Sequence, residues 1–222
     1  MAPDTTLPPV LEAFAARACA RAPAHRRVRL EQRGEMRLSP GGRWLTFTAT
    51  QWMETQEVAF CWRARVRMAP LVTAVVEDAF EHGRGRLDAK VWGVLRVAHA
   101  EGPDADRGEA QRYLAELPWN PRALMANGAL TFRATASDAV RVWAGSPETH
   151  VELHLDAGGD VVRAAASNRP RGDEGPAAWE GRFHDYRDLG GLRVPSGGEV
   201  ARLLPEGRFA YWRGEITALA VD

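Results

Sequence analysis

Lysine is almost absent from this chain. Arginine supplies 28 of the 29 basic side chains, and the one lysine is Lys90. Arginine keeps its charge at every accessible pH, whereas a buried lysine can lose its proton. The exception therefore marks Lys90 as a position where a titratable ammonium has a use, without indicating a function.

Cysteine and net charge are also scarce. Cys19 and Cys61 allow one bridge at most, and no Cys-x-x-Cys or Cys/His cluster accompanies them. This disfavours a disulfide scaffold and a structural zinc site. The 29 basic residues balance 29 acidic ones. Because no basic excess is left to neutralise phosphates, we expect neither nucleic acid nor an anionic membrane as a partner.

Long apolar runs and familiar catalytic motifs are missing too. No segment approaches the roughly 20 apolar residues of a membrane helix, so we expect no membrane insertion. The N-terminus does not resemble a signal peptide. No phosphate-binding loop, dinucleotide glycine motif, HExxH or nucleophile elbow occurs, and the histidines lack ligand spacing. The sequence predicts a soluble cytoplasmic protein, monomer or homodimer, without metal or cofactor.

What the sequence does contain is a long series of alternating residues. Val28, Leu30, Met36 and Leu38 alternate with charged neighbours, as in a half-buried antiparallel strand. The same period of two returns along most of the chain, between turns rich in glycine and proline. We predict about ten short strands, arranged in two meanders over residues 28–99 and 129–222.

Two segments have helical periodicity instead. Residues 9–22 predict an N-terminal helix, and residues 105–127 predict a helical insert between the meanders. With no linker to divide it, the chain reads as a single domain, residues 1–222. The predicted fold class is α+β, mainly β. We expect a strongly curved antiparallel sheet, a half-barrel or open barrel, with both helical segments covering its concave face.

Three segments resemble one family, the DUF6544 (formerly DUF6920) group of bacterial proteins. They are residues 28–44, residues 112–124, which include Arg112-Tyr113-Leu114-Ala115-Glu116-Leu117-Pro118-Trp119-Asn120-Pro121, and residues 179–214. The family has a tryptophan soon after the Glu199-Val200 pair, where this chain has Ala201-Arg202-Leu203. The resemblance implies a shared site but no activity. The strand order also resembles the bacterial lipoprotein-carrier fold, a half-barrel that holds acyl chains, which implies a fold and not a function.

The predicted insert carries the first group of candidate site residues. Arg112 and Glu116 lie four residues apart and so share a helix face, with Tyr113 beside them and Trp119 just beyond Pro118. One interpretation is a surface ion pair. The other is a polar patch that a helical lid presents to a cavity, with Glu116 as acid or base and Arg112, Tyr113 and Trp119 binding the ligand.

Two more candidates lie on predicted strands. Asp78 falls on the apolar side of its strand, which predicts either a salt bridge or turn cap near the strand end, or a catalytic carboxylate. Lys90 shares its side of the strand with Asp88, which favours an exposed pair. If that face turns inward, Lys90 becomes a candidate base or carboxylate ligand.

Aromatic residues suggest how a cavity would be lined. Each tryptophan buries about 200 Å² and either fills a core or forms a wall for an apolar ligand. From the C-terminal strands, Tyr186, Glu199 and Tyr211 are further candidate ligand-binding residues. The eight tryptophans are Trp44, Trp52, Trp62, Trp92, Trp119, Trp143, Trp179 and Trp212.

Three functional hypotheses remain open at this point. The first is a cavity that binds a hydrophobic small molecule with an acidic or hydroxylated end. The second is a cofactor-independent acid/base enzyme, an isomerase, cyclase or hydrolase, in the same cavity. The third is a module whose sheet edge pairs with another chain.

Overall fold

A computed structural model describes residues 4–172 and 174–222. This part of the chain is mainly β, with three α-helices, a short 3-10 helix and 13 strands. The helical elements are α1 (Pro9–Ala18), α2 (Pro103–Ala115), the 3-10 helix (Leu117–Trp119) and α3 (Ala123–Ala126). The strands are β1 (Arg27–Met36), β2 (Leu45–Glu54), β3 (Phe60–Ala69), β4 (Val72–Glu81), β5 (Arg84–Val91), β6 (Leu95–Glu101), β7 (Leu130–Ala136), β8 (Ala139–Ala144), β9 (His150–Leu155), β10 (Val161–Arg169), β11 (Ala177–Leu189), β12 (Leu192–Leu204) and β13 (Gly207–Val221).

All 13 strands form one curved antiparallel sheet that does not close. Its order is β6-β5-β4-β3-β2-β1-β13-β12-β11-β10-β9-β8-β7, so β6 and β7 are the edge strands, and Asp4 forms a β-bridge with Phe132 of β7. Each strand pairs with its neighbour in the chain except along the β1–β13 seam, where Val28 lies opposite Val221. That seam joins the two meanders into a single sheet.

The predicted fold class is confirmed as a mainly β, curved antiparallel sheet, but the count of about ten strands is wrong. One reason is the segment 86–99, which reads as a single strand in the sequence. The chain turns at Trp92 and Gly93, both with positive φ, and the segment becomes the β5–β6 hairpin. The N-terminal helix is also shorter than predicted, because the chain leaves the helix at Cys19.

Alternation of residues places the core on the concave side of the sheet. In β2 the residues on one side are buried and those between them are exposed or partly exposed. A period of two on a twisted sheet gives one apolar face, and here that face packs against the helices. The buried β2 residues are Leu45, Phe47, Ala49, Gln51 and Met53.

Helix α2 lies across this concave face, in agreement with the predicted insert. It contacts β4, β5 and β6 on one half of the sheet and β8, β9 and β10 on the other. Because sheet surrounds it, α2 buries polar residues such as Glu109 and Gln111 together with Tyr113 and Leu114. Within the described residues, no helix is both long and apolar enough to cross a membrane.

The start of α2 is fixed to β5 at Gly85. The backbone amide of Gly85 donates to Asp106 Oδ1 at 2.7 Å. A Cβ at this position would lie 2.3 Å from the carbonyl oxygen of Ala105. Glycine is required here because the helix backbone approaches the strand too closely for any side chain.

We expect Gly85→Ala to lower the free energy of unfolding by about 1–3 kcal/mol, because Ala105 and the first turn of α2 must shift. Urea denaturation measures the change. Gly128→Ala is the matched control, since a Cβ there meets nothing within 4 Å, and its effect should stay below about 0.5 kcal/mol. Equal effects for both variants would contradict the anchoring role of Gly85.

Candidate functional site

A cavity of about 440 Å³ lies between α2 and the concave face of the sheet. Strands from both meanders form its floor, and α2 together with Glu116, which follows it, forms its roof. The volume lies within the roughly 300–1,000 Å³ of small-molecule sites. The predicted void beneath the insert is therefore present.

Six aromatic side chains line the cavity. The Trp119 ring meets Phe183 edge-on at 5.6 Å between centroids and lies 6.4 Å from Trp212. Trp212 is seated over Gly214, where a Cβ would lie 2.6 Å from the indole. The aromatic lining residues are Trp62, Trp119, Trp179, Phe183, Tyr211 and Trp212.

Three of the four indole N–H groups of this wall donate to acceptors inside the protein. Trp119 Nε1 donates to the carbonyl of Pro195 at 3.0 Å, and Trp179 Nε1 donates to Tyr211 Oη at 2.8 Å. Trp62 Nε1 donates to Gln32 Oε1 at 2.8 Å. Because these donors are occupied, the rings offer a ligand mainly apolar surface.

One end of the cavity is polar and centres on Arg112. Its guanidinium pairs with Asp78 and, at 2.8 Å, with Glu116, and the three side chains are only 12–15% exposed. It also lies 5.1 Å from the Phe60 ring centroid and 5.0 Å from that of Trp62. Burial alone would lower the pKa of Arg112, but the carboxylates of Glu116 and Asp78 outweigh it and raise the pKa.

A buried chain of hydrogen bonds supports Glu116 from behind. Gln32 Nε2 donates to Gln51 Oε1 at 2.9 Å, and Gln51 Nε2 donates to Glu116 Oε2. An indole N–H can only donate, so the bond from Trp62 to Gln32 fixes the direction of both amides. This series of hydrogen bonds ends on the Glu116 carboxylate, which can accept the last N–H.

Glu109 is the second carboxyl group facing Arg112 from α2, and it lines the cavity beside Asp78. Burial and the negative charge of Asp78 raise its pKa well above the usual value, although Arg169 and Arg112 oppose the shift. Among the described residues, Glu109 Oε2 and Asp78 Oδ1 are buried without another partner. A proton on Glu109, shared with Asp78, satisfies both oxygens.

Comparison with known proteins identifies the family. Residues 5–220 match the profile of a family of unknown function, DUF6920. The chain belongs to that family. The resemblance found in the sequence is confirmed, and no protein of curated function matches the chain.

The fold of this DUF6920 protein is similar to the folds of proteins whose structures have been solved. A LolA superfamily protein from Nitrosomonas europaea is 11% identical and superposes with a TM-score of 0.50, covering 96% of this chain and 92% of that one. A DUF1329 family protein from Desulfovibrio piger is 8% identical, with a TM-score of 0.53 over the same shares. At such identities the likeness concerns the fold.

Six of the nine residues predicted for the DUF6920 site line the cavity. Three of them form the polar cluster, and the others belong to the 3-10 helix and to β12 and β13. The six are Asp78, Arg112, Glu116, Trp119, Glu199 and Tyr211. Whether they bind a ligand or act in catalysis stays a prediction.

The other three predicted residues do not line the cavity. Lys90 lies on the outer face of the sheet, where its ammonium pairs with Asp88 at 2.7 Å. Tyr113 is fully buried on another side of α2 and donates to the carbonyl of Glu54 at 2.8 Å. Tyr186 donates to the carbonyl of Val161 at 2.8 Å. The two tyrosines are thus part of the core, and Lys90 lies on the solvent-facing side of the sheet.

Sequence reasoning missed Glu109, although a signal for it exists. Glu109, Arg112 and Glu116 are spaced by three and four residues, so all three share one helix face.

Within residues 4–172 and 174–222, no three His, Cys, Asp or Glu side chains are grouped to hold a metal ion.

The raised pKa of Glu109 predicts a pH dependence of stability. The folded protein keeps a proton that the unfolded chain releases above the ordinary value of 4.5. This contribution to stability is complete below that pH and falls by up to about 1.4 kcal/mol per pH unit above it, until the folded pKa is passed.

We therefore expect Glu109→Gln to gain stability relative to the wild type as the pH rises from about 5 to about 8. Urea denaturation at several pH values measures this. Glu152→Gln is the control of opposite sign. Burial raises the pKa of Glu152, but its interactions with Arg141, Thr135 and His154 together outweigh burial and lower the pKa. Parallel pH profiles for wild type and Glu109→Gln would contradict the shared proton.

Proposed function

We propose that this protein binds a largely apolar small molecule whose one polar end is a hydroxyl or similar neutral group. The observation that carries the proposal is the cavity under α2, with aromatic rings in its wall and a buried polar cluster around Arg112. Burying apolar surface against such walls contributes roughly 25 cal/mol per Å². The fold shared with the LolA superfamily protein supports the architecture on which the cavity depends.

The charges of the polar cluster select the ligand end. Arg112 is already engaged by Asp78 and Glu116, so it offers no free cation to an acid. A ligand carboxylate would add another negative charge beside these two. A neutral hydroxyl adds no charge to this cluster. At this end of the cavity a hydroxylated ligand is therefore favoured over an acidic one, and the cations Arg169 and Arg202 also line the cavity.

A cavity-filling substitution tests the site. Val76 lines the cavity and its neighbour Val75 lies on the outer face of the same strand. We expect Val76→Trp to weaken binding of the neutral fluorophore N-phenylnaphthylamine by about tenfold or more, and Val75→Trp to leave it unchanged. Fluorescence titration measures both. The fluorophore should be displaced by a long-chain alcohol more readily than by the acid of equal length.

Native mass spectrometry provides the second readout of the same pair. Freshly purified wild type and Val75→Trp should carry a co-purified molecule, and Val76→Trp should lack it. Equal fluorophore binding by both variants, with no added mass in any of them, would overturn the proposed function.

A second candidate function, acid/base catalysis, is favoured by the Glu109–Asp78 pair. A neutral carboxyl beside a carboxylate and a cation combines a proton donor, a proton acceptor and a stabiliser of negative charge. In this reading Asp78 takes a proton from a ligand carbon and Glu109 delivers one, beside the Arg112 guanidinium.

Solvent exchange distinguishes the catalyst from the pure binder. In deuterium oxide, an acid/base enzyme should introduce deuterium at carbon in the co-purified ligand, and Glu109→Gln should lose at least about tenfold of that rate while still binding. Mass spectrometry of the extracted ligand measures the exchange. Absence of exchange in the wild type would leave binding as the function.

A further inference from the structure

Exposed apolar side chains are concentrated at one end of the sheet. Seven of the eight large hydrophobic residues exposed in the described part of the chain lie in or beside four hairpin turns. These turns join β12 to β13, β1 to β2, β3 to β4 and β5 to β6. The seven residues are Leu38, Leu71, Trp92, Val94, Leu95, Val97 and Leu203.

The strand registers place the four turns in a row. Met36 pairs with Leu45 in the β1–β2 hairpin and with Trp212 of β13. In the neighbouring strands, Ala74 of β4 pairs with Val66 of β3 and Val91 of β5. The eight strands are consecutive in the sheet order, so their turns follow one another along the same edge. We call residues 37–44, 67–73, 90–97 and 203–208 the rim.

The rim displays apolar residues at a conformational cost. Leu71 and Trp92 have φ of 64° and 53°, in the left-handed region that favours glycine. Their exposed fractions are 97% and 67%, so packing contacts within the protein offset little of this backbone strain. Bulky apolar residues at such turn positions indicate a role for the exposed side chains themselves.

Charge on the rim differs from that of the whole chain. The chain as a whole is neutral, but the rim has six basic residues against the one acidic Glu206. Lys90 and Arg96 pair with Asp88, and Arg208 pairs with Glu180 and Glu199, all outside the rim. Arg37, Arg43 and Arg67 have no carboxylate partner among the described residues, so they carry the basic excess of the rim. The six basic residues are Arg37, Arg43, Arg67, Lys90, Arg96 and Arg208.

We propose that the rim docks on the surface of an anionic lipid bilayer. Apolar side chains on separate turn tips can each enter the interfacial layer, where a tryptophan is favoured, while the arginines meet lipid phosphates. A basic surface is complementary to that partner, and in this respect the rim departs from the neutral total charge from which we expected no anionic membrane. The proposal does not depend on a ligand in the cavity.

The chain offers two pairs of variants for the test. Leu71→Ser with Trp92→Ser removes the most exposed apolar tips, and Met125→Ser is the control, since Met125 is 45% exposed away from the rim. Arg43→Gln with Arg67→Gln removes two rim charges. Arg26→Gln with Arg65→Gln changes the total charge equally at exposed positions outside the rim.

Co-sedimentation with vesicles measures the binding. Wild type should bind vesicles containing one-third phosphatidylglycerol about tenfold or more tightly than pure phosphatidylcholine, and added salt should weaken the binding. Each rim double variant should lose about tenfold. Both control variants should match the wild type, and circular dichroism should show that all variants fold.

Three outcomes would overturn the proposal: no vesicle binding, binding that does not depend on phosphatidylglycerol, or equal loss in rim and control variants. Analytical ultracentrifugation tests the alternative, in which the rim forms a contact between two copies of this chain. A dimer that the Leu71→Ser, Trp92→Ser variant converts to monomer, without vesicle binding by the wild type, would assign the rim to contact between copies of this chain.

Discussion

The burial of a charged helix inside an apolar half-barrel governs the rest of this structure. Helix α2 spans the concave face and carries Arg112 into it, and a guanidinium removed from water needs carboxylates to balance it. Asp78 from β4 and Glu116 from the helix supply them, and the glutamine chain holds Glu116 in place. The cavity exists because these polar contacts hold the helix above the aromatic wall.

Alternation in the sequence predicted the architecture because the side-chain period of a strand survives any curvature of the sheet. For β5 the alternation favoured an exposed pair of Lys90 with Asp88 over a Lys90 turned inward, and the structure has that pair on the outer face of the sheet. Helical spacing likewise brings Arg112 and Glu116 together, but cannot tell a cavity-facing Arg112 from a core-facing Tyr113 one position later. That distinction depends on long-range packing against Glu54 and Asn127.

The aromatic wall and the polar cluster are in direct contact through Trp62. Trp62 contacts the Arg112 guanidinium with its ring and supplies the indole N–H that orients the two glutamines. A single side chain thus belongs to both the apolar and the polar part of the site. This coupling explains why rings and charges from distant strands form one pocket, a relation that local sequence patterns do not contain.

The β1–β13 seam has a consequence for how the chain reaches this state. In the described residues every other strand pairing joins neighbours along the sequence, so hairpins can form locally and extend one at a time. Among the strand pairings of the described residues, only the seam joins opposite ends of the polypeptide, so it closes the longest loop. The hairpins of each half can therefore form before the seam does, and we expect the joining of the two halves to be the slow step.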